Sequence, residues 1–217
     1  MERGESRPCP RAPPRMAVLI SGRGSNMVSL VRAALAGRIR AEPAVVVSSR
    51  EGAAGLEAAR RLGVPTETVR SAGFAGGRAK YDREIRSALR RHGVTPRAGL
   101  VCLAGYMRIV GPELVSEYRG RVLNVHPALL PSFPGLNAQR QALDAGVRVT
   151  GCTVHFVDAG VDTGPVIVQR AVRVLDGDTE ESLSARILAQ EHRAYVEAAS
   201  MVADGRVRLR RGRAVRA

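Results

Sequence analysis

From residue 16 to residue 125, short apolar runs alternate with segments whose apolar residues recur at helical spacing. "MAVLISG" (16–22) is an apolar run closed by glycine and predicts a buried strand. In "SNMVSLVRAALAGR" (25–38), Met27, Leu30, Val31, Ala34 and Leu35 share one helical face, and Gly37 ends it. The same reading gives a strand at "AVVVSS" (44–49), a helix at "AAGLEAARRLGV" (53–64) and a weak strand at "TETV" (66–69). A helix at "AKYDREIRSALRRHGV" (79–94) follows a glycine-rich loop. It carries Tyr81, Ile85 and Leu89 on one face, and strands follow at "AGLVCLAG" (98–105) and "VLNV" (122–125). Strands alternating with helices imply parallel βαβ units with right-handed crossovers.

Beyond His126 the pattern changes. "NAQRQALDAG" (137–146) reads as a short helix, and "VTGCTVHFV" (149–157) and "GPVIVQRAVRV" (164–174) read as strands joined by the loop "DAGVDTG". That pair is expected to extend the sheet in antiparallel fashion. Residues 178–205 form a long last helix, for which Asp178 is the candidate N-cap and Glu181 its capping-box partner. The fold class is therefore α/β: a single Rossmann-like domain with a mostly parallel sheet and an antiparallel C-terminal extension. The expected organisation is a flexible tail at 1–15, the domain at 16–205 and a basic C-terminal tail at 206–217.

The 217 residues suit one domain with a sizeable core, and no apolar run is long enough to span a bilayer. The first fifteen residues lack the apolar segment of a secretory signal, so a cytoplasmic location is the expectation. The three cysteines, Cys9, Cys102 and Cys152, are scattered without metal-ligand spacing, so neither a disulfide framework nor a metal site is expected. A net charge of +14 raises the question of nucleic acid. The charge is almost all arginine, with Lys80 the only lysine, and much of it lies in the two ends. Aromatic content is 3% with no tryptophan, which leaves few stacking platforms and argues against nucleic acid. Phosphorylated or polyanionic small molecules are the simpler partners.

Two stretches carry candidate chemistry. "LISGRGSN" (19–26) joins the first strand to the first helix, and Gly22 and Gly24 free its backbone from Cβ clashes. The N–H groups at a helix start favour an anion, so Gly24, Ser25 and Asn26 form a candidate phosphate cradle; the alternative is a tight turn without a ligand. The third glycine of the dinucleotide fingerprint and the lysine of a P-loop are both missing, which points to a monophosphate. In "LNVHPALLPSFPG" (123–135), a strand gives way to a proline-broken loop, placing Asn124 and His126 where open α/β sheets bind ligands. The other reading of His126 is a histidine packed at a strand end. With Asp162 from the later loop, the three supply a proton donor, an amide donor for an oxygen that becomes negative, and a carboxylate to hold the imidazolium. No serine or cysteine adjoins them, so a nucleophilic triad is not indicated.

"AVLISGRGSNM", "LAGYMRIV", "LNVHPALLPSFPGLNAQRQALDAG", "GCTVHFVDAGVDTGPVI" and "AQEHRAY" together resemble the phosphoribosylglycinamide formyltransferase family, in order from about residue 16 to about 205. "PSFPGL" and the lack of a further domain point to this family among folate formyl-transfer enzymes. The resemblance implies formyl transfer from 10-formyltetrahydrofolate, as co-substrate, to glycinamide ribonucleotide in purine synthesis, without a metal. The partners implied are these small molecules, no membrane, and a monomer or homodimer.

By matching position, His126 resembles the general acid, Asn124 the amide that holds the formyl oxygen, and Asp162 the carboxylate that supports the histidine and manages the proton through water. Gly24, Ser25 and Asn26 match the phosphate cradle. Arg78, Met107, Arg108, Ile109 and Val110 match folate contacts, and Asp158, Ala159, Gly160, Val161 and Asp162 match the loop that reads the pterin edge. Glu191 matches the carboxylate for the glycinamide end, with Leu188, Ala189 and Gln190 beside it. The bland alternatives are core packing for Met107, Ile109 and Val110, a solvated charge for Arg78, and an exposed helix carboxylate for Glu191. His155 faces the pocket or supports it; His92 and His192 read as surface or structural. The chain departs from the family pattern at Arg23, Ala128, Asn137 and Gln139, each of which bears on substrate binding and none on a catalytic group.

Overall fold

The computed structural model describes residues 12–70 and 77–217. The expected glycine-rich loop before the third helix, and all but the end of the expected N-terminal tail, lie outside the described residues. Seven strands form one sheet: β1 (Arg15–Ile20), β2 (Glu42–Ser48), β3 (Thr66–Thr68), β4 (Gly99–Leu103), β5 (Val122–His126), β6 (Val149–Phe156) and β7 (Val166–Arg173), in the order β3-β2-β1-β4-β5-β6-β7. The first five pair in parallel, whereas β5–β6 and β6–β7 are antiparallel.

Both faces of this sheet are covered, which is why its inner strands read as continuous apolar runs rather than alternating ones. On one face, Met16, Val18 and Ile20 of β1 and Leu100 and Cys102 of β4 pack under three helices. These are α1 (Ser25–Leu35), α2 (Ala54–Arg61) and α6 (Glu180–Ala203). On the other, Ala17, Leu19, Val101 and Leu103 pack under α3 (Gly77–Arg91) and α4 (Pro112–Glu117), through Tyr81, Ile85, Leu89, Leu114 and Tyr118. Between the halves, the buried Tyr195 hydroxyl of α6 lies 3.0 Å from the carbonyls of both Leu103 and Leu123, tying the helix to neighbouring strands β4 and β5. The short α5 (Ala138–Asp144) stands where a helix is expected.

Three expectations need correction. The last helix is capped by Thr179, not Asp178. Ser182 N–H donates to Thr179 Oγ1 at 3.3 Å, and Thr179 N–H donates to Ser182 Oγ at 3.1 Å, so Ser182 replaces Glu181 in the box. Asp178 is engaged elsewhere, accepting from Leu175 N–H at 2.7 Å and from Arg186. Second, α4 is an additional helix, too short to leave a periodic signal; Pro112 and Glu113 open it as helix starts require.

Third, the expected basic C-terminal tail is folded. β8 (Val207–Arg210) and β9 (Arg213–Arg216) form an antiparallel hairpin through Arg211 (φ 47°) and Gly212 (φ 75°). A two-residue turn with both residues at positive φ matches the twist of a hairpin. Val207 is 3% exposed, so the hairpin is seated on the body of the protein.

Candidate active site

The order of the strands reverses between β1 and β4, and at such a point the two following loops diverge and leave a crevice. The loop after β1 forms one side. Gly24 caps α1 in the left-handed region (φ 77°), and a Cβ there would lie 3.0 Å from Gly55 Cα, so the turn packs backbone to backbone against α2. The first turn of α1 is thereby presented as an anion site. The loop after β4 forms the other side and is fastened to the first: Ser21 N–H donates to Gly105 O at 3.1 Å, and Met107 N–H donates to Ser21 Oγ at 2.9 Å. Ser21 was not among the expected site residues; its only sequence signal is its place between a buried strand and the glycines.

Met107 is 61% and Ile109 55% exposed, which removes the core-packing alternative for both. They stand as exposed apolar side chains on the loop after β4, with exposed Arg108 between them, while Val110 packs against the core. Beneath this loop, Asp82 is buried, and burial is the main cause that raises its pKa. The Gly111 N–H and the charges of Arg78 and Arg86 oppose the rise. Arg78 itself is exposed at the start of α3.

Asn124 and His126 come from the last two outward positions of β5. Asn124 pairs across the strands with His155 of β6, its Nδ2 3.2 Å from His155 Nε2. His155 Nδ1 faces the Phe156 carbonyl at 2.9 Å, and its Nε2 faces both the Asn124 amide and, at 3.6 Å, Asp162 Oδ1. His155 thus supports the site from behind. Asp162 comes from the β6–β7 loop at φ 55°, a left-handed backbone that a non-glycine residue rarely adopts. Its Oδ2 lies 3.2 Å from His126 Nδ1 and accepts from Gly135 N–H at 2.9 Å, while Oδ1 accepts from Asn124 Nδ2 at 3.3 Å.

Burial alone would raise the pKa of Asp162. The hydrogen bonds from His155 and Gly135 and the charge of His126 outweigh it and hold the carboxyl below its usual range. His126 Nε2 faces the Phe133 carbonyl at 2.8 Å, so both ring nitrogens look at oxygen acceptors. The rest of the expected pterin loop is shaped locally. Asp158 Oδ1 accepts from Gly160 N–H at 3.1 Å and Thr163 Oγ1 at 2.8 Å, leaving Ala159 and Val161 exposed.

Glu191 is 7% exposed, so the exposed-carboxylate alternative fails. Its Oε2 accepts from Asn26 Nδ2 at 2.7 Å. Burial, opposed by this hydrogen bond, raises its pKa. Asn26 therefore contributes its side chain as well as its backbone, and its Oδ1 is buried without a partner among the described residues. Of its neighbours, Leu188 and Gln190 are half-buried and Ala189 is exposed. Among the departures from the family pattern, Ala128 is buried with its carbonyl accepting from Thr153 Oγ1 at 2.6 Å, and Asn137 caps α5 at φ 56°. Arg23 is exposed and Gln139 half-buried. No group of three or more His, Cys, Asp or Glu among the described residues is arranged to hold a metal ion.

A doubly wound sheet with Asn, His and Asp converging beyond its carboxyl ends defines a class. The family model described as Formyl transferase matches residues 14–199, and the chain belongs to that family. Within it, the chain groups with the phosphoribosylglycinamide formyltransferases. It is 42% identical over 194 residues to the enzyme of that name from Escherichia coli (strain K12), covering 89% of each chain. It matches the crystal structure of glycinamide ribonucleotide transformylase 1 from Symbiobacterium toebii with a TM-score of 0.90 at 47% identity, over 99% of each chain. It is also 48% identical over 196 residues to the trifunctional purine biosynthetic protein adenosine-3 of Drosophila pseudoobscura pseudoobscura; that match takes in 89% of this chain and 14% of the longer protein.

Proposed function

We propose that this chain transfers the formyl group of 10-formyltetrahydrofolate to the primary amine of glycinamide ribonucleotide, a step of purine synthesis. The convergence of Asn124, His126 and Asp162, with Asp162 Oδ2 at 3.2 Å from the His126 ring, carries the reading. The substrate phosphate sits on the first turn of α1 at Gly24, Ser25 and Asn26, and Glu191 takes the glycinamide end. Folate lies along Met107–Val110, with Arg78 near its charged end and the 158–162 loop at the pterin edge.

The amine nitrogen attacks the formyl carbon, and the carbonyl oxygen becomes an oxyanion. Asn124 Nδ2 and the His126 imidazolium each turn one N–H from their present partners towards that oxygen. Donors set in a water-poor pocket stabilise such charge strongly, because little reorganisation is needed as it forms. The bond from the carbon to the folate nitrogen then breaks. One proton leaves the attacking amine and one reaches the departing nitrogen, relayed through water held by Asp162. Asp162, kept ionised, also fixes the imidazole in orientation.

The test is an absorbance assay with 10-formyltetrahydrofolate, with and without the ribonucleotide. Turnover only in its presence is the expected outcome. Equal turnover without it would make the chain a hydrolase, and no turnover from folded protein would overturn the reading.

A further inference from the structure

A second cavity, of about 720 Å³, opens at the other end of the sheet. Its lining comes from segments that precede the parallel strands: Pro14 before β1, Arg40 before β2, Arg97 and Ala98 before β4, and Arg121 before β5. The catalytic groups lie beyond the opposite ends of the same strands, so the two sites are separated by the length of the sheet. Arg119 and Arg208 add to the lining, which among the described residues holds five arginines. The one carboxylate of that lining among the described residues, Asp204, is already paired with Arg206 at 3.1 Å. Arg97, Arg119 and Arg208 have no carboxylate partner among the described residues.

The cavity has a built wall. One side of it is formed by β8, whose Leu209 lies against Gly120 so closely that a Cβ on that glycine would be 3.1 Å from Leu209 Cβ. Arg208 Nε donates to Gly205 O at 3.2 Å, which directs this guanidinium along the cavity rim. Val202, Val207 and Leu209 give the cavity an apolar side. Small-molecule sites commonly enclose about 300–1,000 Å³, and guanidinium groups present forked donors that match phosphate oxygens.

We propose that this cavity is a second ligand site, which takes a small molecule bearing a linear di- or triphosphate group. The guanidinium groups of Arg97, Arg119 and Arg208 hold the phosphates, and the Val202–Leu209 side takes whatever body they carry. Such a ligand binds without entering the catalytic crevice.

The test is calorimetric titration at physiological ionic strength with ATP and, separately, with inorganic tripolyphosphate. Glycinamide ribonucleotide is kept saturating so that the anion site at α1 is filled. Wild-type protein is expected to bind one equivalent, and the Arg97→Ala/Arg119→Ala/Arg208→Ala variant about tenfold or more weakly, as loss of charge-assisted hydrogen bonds requires. These side chains are exposed and remote from the crevice. The variant should therefore keep the wild-type unfolding temperature and formyl-transfer rate. Should it prove unstable, the corresponding triple lysine variant keeps the charge, loses the fork, and should bind with intermediate affinity. Tighter binding of ATP assigns the site to nucleotides, and equal binding assigns it to the phosphate chain alone. Undiminished binding by the alanine variant would overturn the proposal, as would a short single-stranded oligonucleotide that binds more tightly than ATP.

Discussion

The Asn26 amide donates to the Glu191 carboxylate at 2.7 Å, joining residues 165 positions apart. The bond fixes the first turn of α1, the proposed phosphate site, to the middle of α6. Asn26→Ala leaves a buried carboxylate without its donor, which costs about 1–3 kcal/mol. The expected result is a lower unfolding midpoint in urea together with a raised KM for the ribonucleotide. Glu191→Gln keeps an acceptor for Asn26 and loses the charge, so it should raise that KM with little loss of stability. An unchanged KM in both variants would remove Glu191 from the substrate site.

His126→Ala and Asp162→Ala are each expected to lower kcat by about two or more orders of magnitude, the combined scale of general acid–base and oxyanion contributions. Asp162→Asn is the finer probe. It keeps an acceptor for Gly135 N–H but cannot hold an imidazolium by charge. Single-turnover rates separate this chemical loss from any change in binding; wild-type rates in either alanine variant would refute the assignment.

Asp162 and Glu191 should move stability in opposite directions with pH. Asp162 has its pKa lowered from 3.8, so the folded state releases this proton more readily than the unfolded chain. Its stabilisation is present above the unfolded value and is lost as pH falls through the folded one. Glu191 has its pKa raised from 4.5, so the folded state retains a proton that the unfolded chain gives up. Stability is complete below the unfolded value and declines as pH rises through the folded one. Urea unfolding across this acid range should therefore show Asp162→Asn losing its disadvantage towards low pH. Glu191→Gln should gain on wild type as pH rises.

A Cβ on Gly111 would overlap the carboxylate of Asp82, and Asp82 is only 3% exposed, so neither group has room to move aside. Gly111→Ala is expected to destabilise by about 1–3 kcal/mol, as overpacking does. It should also shift the 107–110 loop and raise the KM for folate more than that for the ribonucleotide. Thermal unfolding and separate KM measurements check the two parts.

The sequence by itself determined the alternation of strands and helices, because both faces of the sheet are buried and each inner strand must carry an apolar run such as Ala44–Val47. It also placed Asn124 and His126 at a strand's carboxyl end and Gly24 at a helix start, since glycine, proline and apolar periodicity act over a few residues. The C-terminal hairpin was missed: Val207 and Leu209 alternate with arginines and Arg211–Gly212 is a turn pair, but the density of charge reads as a tail. Tertiary structure alone decided the partnerships. On α6, Glu191 falls in line with Leu183, Ile187 and Tyr195, where a carboxylate needs a partner that the helix itself does not offer; packing of α1 against α6 buries it and supplies Asn26. The pairing of β5 with β6 sets His155 against Asn124, and the left-handed backbone at Asp162 turns that carboxylate onto both Asn124 and His126. Local propensity is written in neighbouring residues, whereas a site joined across 165 positions exists only once the sheet has brought its loops to one end.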